Sequence, residues 1–536
     1  MSFSVPKPVE LRLTDRSRLV ARHFGDFVLL RRPDGSKNDM AQVGQRLFDA
    51  QFDFVEEVIA TQVEACLALH QRFEVKNLSQ IEALDFDDIS DTRSQHHRWP
   101  ILIDEQHADW SAIEDHTKLT QAEYLSRLFD CQLSVAMTGF LPGFVYLDGL
   151  PQSLRVPRKA KPATRTEAGT FALGGSYAGV YSLPSAAGWN CIGTIATQLF
   201  CEQRLPPVSV AIGDTVSLRR IDATEFTSLR EGSGPSSDIE QSTTRNSDHG
   251  RLRVEHPGLL SLIQDRGRRG YAWYAIPRGG CMDATSAELA NVILGQDAAH
   301  PVLEFHFLAP KIRFLSEAHI CLTGADMGWQ VNGEPVKRGQ TLTVASGDLL
   351  SGNCASDGCR SYLAIRGEIA TQKSFASAST YTPAKFGGNC GNAFTVGDEL
   401  YWRKPSQPPF LLETKIETGA SEELLWGPGP EFSMLDARAQ EAISTESFRI
   451  APRSDRMGAR LDGPRLSTQG SGQMTDSVPL LPGMVQLTPN GQLIVILQDG
   501  QTTGGYPRVG YLDRRAIEQL NQTKIGDPFR FKIQSL

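Results

Sequence analysis

Short apolar runs separated by glycine and proline turns dominate the sequence from about residue 131 to its end. The 48 glycines and 30 prolines are spread along the 536 residues and do not form low-complexity tracts. Because both residues favour turns, this pattern predicts many short strands. A single hydrophobic core stops growing at about 250–300 residues, so two to four domains are expected. The sequence therefore predicts a mainly β, multidomain protein.

A polar segment divides the chain near its middle. Residues 231–250 read EGSGPSSDIEQSTTRNSDHG and contain one aliphatic residue, Ile239. Such a segment cannot bury enough apolar surface to offset its ordering entropy, which predicts a flexible linker. Before it, residues 41–51 and 119–130 have the periodicity of amphipathic helices among strand-like runs. We expect a small α/β domain over residues 1–130.

One turn pattern occurs three times. The runs IGDTVSL from Ile212, VGDELY from Val396 and IGDPFRF from Ile525 each join an apolar residue to Gly-Asp and a strand-like run. Their positions near three candidate domain ends predict related β modules, which would close into small barrels to hide their edge strands. The expected modules cover residues 131–230, 251–405 and 406–536.

Several classes of protein are disfavoured by composition and by missing motifs. The net charge of −8, without a long basic run, argues against a nucleic-acid partner. Nine cysteines without a CxxC pair predict reduced thiols, no metal site and a cytoplasmic location. Without a signal-peptide pattern or an 18-residue apolar run, we expect no membrane association. Walker-type, biotin-carrier and Gly-x-Ser-x-Gly motifs are also missing from the sequence.

Several sequence motifs, taken in their order along the chain, resemble those of a known family. The first half contains TGFLPGFVYL at residues 138–147, Pro157-Arg158, and AGWNCIG at residues 187–193. The second half contains, in order, QDRGRRG at 264–270, GCMD at 280–283, STY at 379–381, FGG at 386–388, SDRMGARL at 454–461 and QTTGGYP at 501–507. Over roughly residues 100–536, this order resembles a fusion of the B and C subunits of bacterial 5-oxoprolinase. The wider family is related to allophanate hydrolase and urea amidolyase, and includes the carboxyltransferase part of urea carboxylase.

The resemblance implies a fold and three candidate functions. The fold would be a small N-terminal α/β domain followed by three cyclophilin-like β-barrel modules. The first function is ATP-dependent cleavage of the 5-oxoproline lactam to glutamate, with a separate third 5-oxoprolinase subunit (LamB/YcsF-like). The alternative is a carboxyltransferase that moves a carboxyl group to urea or a related small amide from carboxybiotin carried by another protein. A non-catalytic regulator of a sensor kinase is the third, which the fusion disfavours because it would tether an inhibitor to its antagonist.

Candidate site residues follow from this chemistry. Acid–base candidates are Asp283, Glu304, Asp326 and the phenol of Tyr506, although Asp283 is also well placed to cap a helix at residues 284–294. Glycine-rich turns can polarise a carbonyl or hold phosphate through backbone N–H groups, and arginines suit carboxylates. The predicted substrate- or phosphate-binding residues are Phe140, Phe144, Tyr146, Arg158, Arg165, Ser379, Thr380, Tyr381, Gly387, Gly388, Arg456, Gln501, Thr502, Thr503 and Gly504. We expect them in a cleft between the first barrel and the second half; the aromatic residues alternatively pack in the core.

Overall fold

The computed structural model describes most of the chain. The described residues are 6–15, 17–36, 39–70, 73–86, 94–159, 161, 163–231, 249–407, 412–416, 419, 421–469 and 476–533. Most of the predicted linker, residues 232–248, lies outside them. Within the described ranges, no helix is long and apolar enough to cross a membrane.

The N-terminal domain is an antiparallel sheet covered by one helix. In spatial order its strands are Val9–Arg12, Arg18–Phe24, Phe27–Arg31, Ala65–Leu69 and Val55–Ala60. Helix Met40–Asp49, predicted at residues 41–51, buries Met40, Val43 and Leu47 in the core shared with this sheet. Short helical turns follow at Val75–Leu78 and Ser79–Glu82.

The first barrel closes through seven strands. In order around the barrel they are Thr170–Gly174, Tyr177–Tyr181, Val145–Asp148, Leu133–Thr138, Thr215–Arg220, His96–Ile103 and Asn190–Ile195. A hairpin of Ala163–Thr166 and Ser185–Ala187 accompanies it, with a helical turn at Gln152–Leu154 and a helix at Ala223–Glu231.

The predicted boundary at residue 130 is wrong, because His96–Ile103 belongs to the barrel and pairs in parallel with Thr215–Arg220. Helices Asp109–Thr117 and Gln121–Phe129 are inserted after this strand, and their helical pattern concealed the domain start. The second of these confirms the helix predicted at residues 119–130, and Thr120 caps it by accepting a hydrogen bond from Glu123 N.

The middle module consists of two sheets and a helix at Ala284–Ile293. The larger sheet contains, in order, Glu334–Pro335, Gln330–Val331, Leu349–Ser351, Lys311–Phe314, His249–His256, Glu399–Arg403 and Glu368–Ile369. The smaller contains Ser261–Gln264, Val302–His306, Asp357–Ile365, Ala318–Asp326 and Leu342–Val344. A helical turn at Ala272–Tyr274 lies in the loop that faces the N-terminal domain.

The last module is a second closed seven-stranded barrel. Its strands are, in order, Glu423–Pro428, Arg508–Tyr511, Met484–Leu487, Leu493–Ile496, Gly458–Asp462, Ser447–Ile450 and Pro528–Ile533. Helices Ala437–Thr445 and Arg514–Gln522, a turn at Phe432–Met434 and a hairpin of Val478–Pro479 with Thr503–Gly504 complete it. The predicted class, mainly β with a small α/β N-terminal domain, is confirmed.

The three Gly-Asp turns adopt the same conformation. Gly213, Gly397 and Gly526 have φ of 90°, 93° and 89°, and each turn leads into a strand of its module. In two of the turns, the aspartate after the glycine accepts a hydrogen bond from the backbone three residues earlier. Asp214 accepts from Ala211 N at 2.9 Å, and Asp398 accepts from Thr395 N at 2.8 Å. A positive φ explains the glycine, since other residues are strained there.

A buried ionic network joins the two ends of the chain. Arg508 in the last barrel donates to both carboxylate oxygens of Glu431, each at 2.9 Å, and lies 2.5 Å from Glu64 of the N-terminal domain. Arg31 contacts the same two carboxylates, through Nε to Glu64 and through Nη2 to Glu431 at 2.8 Å. The side chains of Arg508 and Glu64 are fully buried, so each charge depends on the others for compensation.

Replacing Arg508 with methionine should lower the free energy of unfolding by about 3–5 kcal/mol, because two buried carboxylates lose their main partner. Chemical denaturation measures this change. Arg530→Met is a matched control, since Arg530 lies on the exposed face of the same barrel. Equal stability of the two variants would contradict the importance of the network.

Candidate functional site

A cluster of mostly buried aromatic side chains, which we call the aromatic basin, lies at one end of the first barrel. The ring of Phe144 lies 5.2 Å from Tyr181 and 5.7 Å from Trp189, and the ring of Tyr146 lies 5.5 Å from Trp189. The Trp189 ring rests directly on the backbone, because a β-carbon on Gly174 would lie 2.6 Å from it. These four side chains are 2–5% exposed and pack against one another in one core cluster, with the partly buried Phe140 and Tyr177 at its edge.

One unpaired guanidinium stands beside this basin. Arg158 is exposed, and its Cζ lies 5.7 Å from the centroid of the Trp189 ring. A β-carbon on Gly505 would lie 3.2 Å from Arg158 Nη1, so the guanidinium approaches the 501–506 loop of the last barrel. Within the described part of the chain, Arg158 forms no ion pair, which leaves its planar fork free for an anion.

The last barrel contacts the first barrel through the 501–506 loop. Thr503 Oγ1 accepts a hydrogen bond of 2.9 Å from the backbone N–H of Phe140. Gly139 is packed against the same side chain so closely that any β-carbon there would collide with Thr503. Strand Thr503–Gly504 is fixed in turn by pairing with Val478–Pro479.

The contact between the two barrels thus brings together several predicted residues from distant parts of the sequence. They are Phe140, Phe144, Tyr146, Arg158, Thr503 and Gly504. Gln501 and Thr502 belong to the same loop, and Tyr506, at its end, is 41% exposed.

The N-terminal domain borders the basin as well. Tyr177 donates a hydrogen bond of 2.9 Å to Gln62 Oε1 and its ring lies 5.8 Å from Tyr146. Burial, together with Asp148 and Asp476, raises the pKa of Tyr177, so the phenol stays protonated and serves as a donor. Tyr177, Tyr181 and Trp189 were not predicted as site residues, although Trp189 lies in the AGWNCIG motif at residues 187–193.

Arg165, the second predicted arginine of the first half, forms an ion pair. It is exposed on the Ala163–Thr166 strand and pairs with Glu167 at 3.0 Å. Both side chains are about 70% exposed, so the pair contributes little to stability. Arg165 is therefore an exposed residue with an ion-pair partner, whereas Arg158 has none among the described residues.

Arg456, a predicted binding residue, lies in a buried ionic network that encloses its guanidinium. It donates to Asp499 Oδ2 at 2.8 Å, to Glu304, and to the carbonyl of Gly280 at 2.6 Å. Glu304 also accepts from Met282 N at 2.8 Å. This buried network joins the middle module to the last barrel, and it leaves neither Arg456 nor Glu304 facing a substrate.

The other predicted acids have local structural roles. Asp283 caps helix Ala284–Ile293 by accepting from Ser286 N at 3.0 Å, as its alternative interpretation proposed, and its other oxygen accepts from Gln522. Asp326 is half-exposed and accepts from Gly328 N at 2.9 Å in a surface turn. Their predicted acid–base roles are not supported, because both carboxylates are used in turns and caps.

The predicted residues of the 379–388 region pack around a buried arginine. Arg268 lies 4.5 Å from the centroid of Phe386 and donates to the carbonyl of Ser379. Ser379 and Thr380 also bond to Asp265 and to the carbonyl of Ile263, while Tyr381, Gly387 and Gly388 belong to the same packed region. The binding role of these five residues stays a prediction, and their contacts show that they pack in an interior.

One group of potential metal ligands occurs among the described residues. It contains His107, Asp109 and Cys191. Asp109 Oδ2 accepts from Lys159 Nζ at 2.6 Å and from Cys191 N at 2.8 Å, and burial raises the pKa of the Cys191 thiol. An ammonium already neutralises this carboxylate, so the group is an ion pair.

The fold and the two halves define a class of protein. The model of carboxyltransferase domain subdomains C and D matches residues 31–210, and the model of subdomains A and B matches residues 274–533. The chain is 32% identical over 291 residues to the C subunit of 5-oxoprolinase from Escherichia coli, covering 92% of that protein and 53% of this chain. The chain therefore belongs to the carboxyltransferase-domain family that includes this 5-oxoprolinase component.

Relatives of the two halves are separate polypeptides. The chain is 33% identical over 129 residues to the B subunit of 5-oxoprolinase from Haemophilus influenzae, which covers 61% of that protein and 24% of this chain. It is 30% identical over 310 residues to urea amidolyase of Lachancea kluyveri, covering 17% of that protein and 52% of this chain. The crystal structure of TTHA0988 aligns with a TM-score of 0.79 and 26% identity over 94% of this chain and 99% of that one. The relatives are thus enzyme subunits and a larger enzyme, and one solved protein shares the whole arrangement.

Gly139→Ala should separate the two barrels locally, since the added methyl group has no space beside Thr503. Overpacking of this kind costs about 1–3 kcal/mol. Unfolding experiments and protease susceptibility of the 501–506 loop measure the effect. Gly188→Ala is the matched control, because nothing lies within 4 Å of a β-carbon there. A tolerated Gly139→Ala would show that this contact is not tight in solution.

Proposed function

We propose that the chain is a fused form of the B and C subunits of 5-oxoprolinase. With ATP and a separate third subunit of the LamB/YcsF-like type, it opens the lactam of 5-oxoproline to give glutamate. Water adds to the lactam carbonyl, the C–N bond breaks, and ATP hydrolysis to ADP and phosphate drives the step. Similarity of the second half to the C subunit and of the first half to the B subunit supports this proposal.

The unpaired Arg158 beside the aromatic basin is the observation on which the proposal depends. 5-Oxoproline is a small, flat ring that carries one carboxylate. A planar guanidinium recognises a carboxylate with two parallel hydrogen bonds, and the partly exposed rings of Phe140 and Tyr177 at the edge of the basin suit the flat ring. The basin lies where the first half of the chain meets the second, so both halves contribute to one site.

The decisive experiment measures 5-oxoproline-dependent release of phosphate and glutamate. It uses this chain alone, the third subunit alone, and the mixture. We expect activity only in the mixture, with about one phosphate for each glutamate as the coupled step requires. A folded mixture that hydrolyses no ATP when 5-oxoproline is added would contradict the proposal.

Carboxyl transfer from carboxybiotin is the second candidate, and the match of both halves to carboxyltransferase subdomains favours it. Its acceptor, urea or a related small amide, carries no charge, so Arg158 would hold the carboxyl group being transferred. Supplying a carboxylated biotin carrier and urea to the same chain, and measuring urea-dependent loss of the biotin carboxyl group, separates this candidate from the first.

Arg158→Ala should raise the KM for 5-oxoproline about 10–100-fold, since a hydrogen bond to a charged group contributes about 1.5–3 kcal/mol. The kcat should change less, because the carboxylate is held alike in substrate and transition state. Arg165→Ala is the control, as Arg165 is exposed and paired with Glu167. Equal KM values for the two variants would remove Arg158 from the site.

A further inference from the structure

A separate cavity of about 470 Å³ lies where the N-terminal domain, the middle module and the last barrel meet. We call it the junction cavity. Thr502 lines it, whereas the next residue, Thr503, contacts Phe140 at the barrel contact. The 501–506 loop therefore lies between the junction cavity and the aromatic basin.

A β-bulge directs two carboxylates into the junction cavity. Along the pairing of Val55–Ala60 with Ala65–Leu69, Val55 opposes Leu69 and Glu57 opposes Ala68, so Glu56 is an extra residue. In a regular strand, Glu56 and Glu57 would face opposite sides of the sheet. Here both line the cavity, as expected where a bulge redirects a side chain.

The Glu56 end of the cavity has an excess of positive charge. Glu56 lies 3.0 Å from Arg269 and 3.3 Å from Arg278, and His70 is 3.5 Å away. Two guanidiniums thus share one carboxylate, and neither has another ion-pair partner among the described residues. Their remaining N–H groups can hold the carboxylate of a ligand.

Glu57, the next residue along the strand, has different surroundings. Glu57 is 5% exposed and accepts from the backbone N–H groups of Gly270 at 2.8 Å and Ala272 at 3.0 Å. Among the described residues, no cationic side chain lies within ion-pair distance of it; the nearby charges are those of Arg278 and Glu56. Burial raises its pKa to about 7. A buried carboxylate without a cation is the natural partner of a ligand's ammonium group.

Of the other charged residues that line the cavity, two arginines are paired, whereas Asp26 and Asp265 have no ion-pair partner among the described residues and Asp265 accepts hydrogen bonds from Ser377 and Ser379. Arg266 pairs with Glu288 at 3.0 Å, and Arg514 pairs with Glu518 at 3.0 Å. The remaining surface is largely apolar and comes from both the N-terminal domain and the last barrel. The same cavity thus contains a buried carboxylate, Glu57, and two arginines that share one carboxylate, Glu56.

We propose that the junction cavity binds a free α-amino acid, with its ammonium group on Glu57 and its carboxylate on Arg269 and Arg278. 5-Oxoproline has a lactam nitrogen in place of an ammonium group, so it does not suit this site. Glutamate, the product under the proposed function, and any other amino acid share the required chemistry. This inference does not depend on the proposed reaction.

Calorimetric titration of the full chain with L-glutamate and the other protein amino acids tests the proposal and identifies the source. We expect at least one amino acid to bind, and to bind at least tenfold more tightly than analogues lacking its α-ammonium or its α-carboxylate. For L-glutamate these analogues are glutarate and 4-aminobutyrate. Absence of binding by every amino acid at millimolar concentration would overturn the proposal.

Two variants locate the ligand. Glu57→Gln and Arg269→Ala should each weaken amino-acid binding at least tenfold. Two controls should bind normally: Arg158→Ala, and Glu255→Gln, which alters an exposed ion pair with Arg313. Ligand-induced shifts in Tm, measured against each variant's own unliganded Tm, allow for any loss of stability. Normal binding by Glu57→Gln and Arg269→Ala would place the ligand elsewhere.

The pH dependence adds a readout that a structural role would not produce. Glu57 must lose its proton to pair with an ammonium group, so affinity should rise as the pH increases through about 7. The Glu57→Gln variant should show no such rise. If Arg158→Ala raises the KM for 5-oxoproline but leaves this binding intact, the two sites are distinct.

Discussion

The arrangement of the domains depends on the buried guanidinium of Arg508. It lies between Glu64 of the N-terminal domain and Glu431 of the last barrel, side chains that are more than 350 positions apart in the sequence. Removing these charged groups from water is unfavourable unless they are buried together and compensate one another. The network therefore forms only when the two ends of the chain are docked. Docking also buries Phe24 and Phe27 against Tyr511, at ring distances of 6.2 and 5.6 Å.

Both candidate sites are consequences of that docking. The aromatic basin belongs to the first barrel, but Thr503 and Gly505 of the last barrel fix its rim and the position of Arg158. The junction cavity has walls from three modules and would not exist in any one of them. The 5-oxoprolinase relatives of the two halves are separate chains, so in this chain covalent fusion raises the effective concentration of one half for the other. A solved protein of nearly the same length shares the arrangement, so it is not peculiar to this sequence.

Local features could be predicted from the sequence, and long-range ones could not. The helix at residues 119–130, the Asp283 cap and the three Gly-Asp turns follow from residue preferences over a few positions, and the structure contains each of them. Strand His96–Ile103 was assigned to the wrong domain because its partner, Thr215–Arg220, is over a hundred residues away. From the sequence alone, Arg158 and Arg456 could not be distinguished, because both are arginines within motifs of the resemblance. Only the fold shows that two carboxylates enclose Arg456 while Arg158 stays unpaired among the described residues.

The 501–506 loop connects the two sites physically. Thr502 and Thr503 are buried on its opposite faces, one toward the junction cavity and one toward the backbone of Phe140. Thr502 Oγ1 is buried and has no hydrogen-bond partner among the described residues, so a ligand that reaches it gains a new bond to the loop. Such a bond would act on the same short strand that sets the rim of the aromatic basin. Coupling between the sites would then require only a small shift of Thr503–Gly504, because tightly packed contacts transmit displacement.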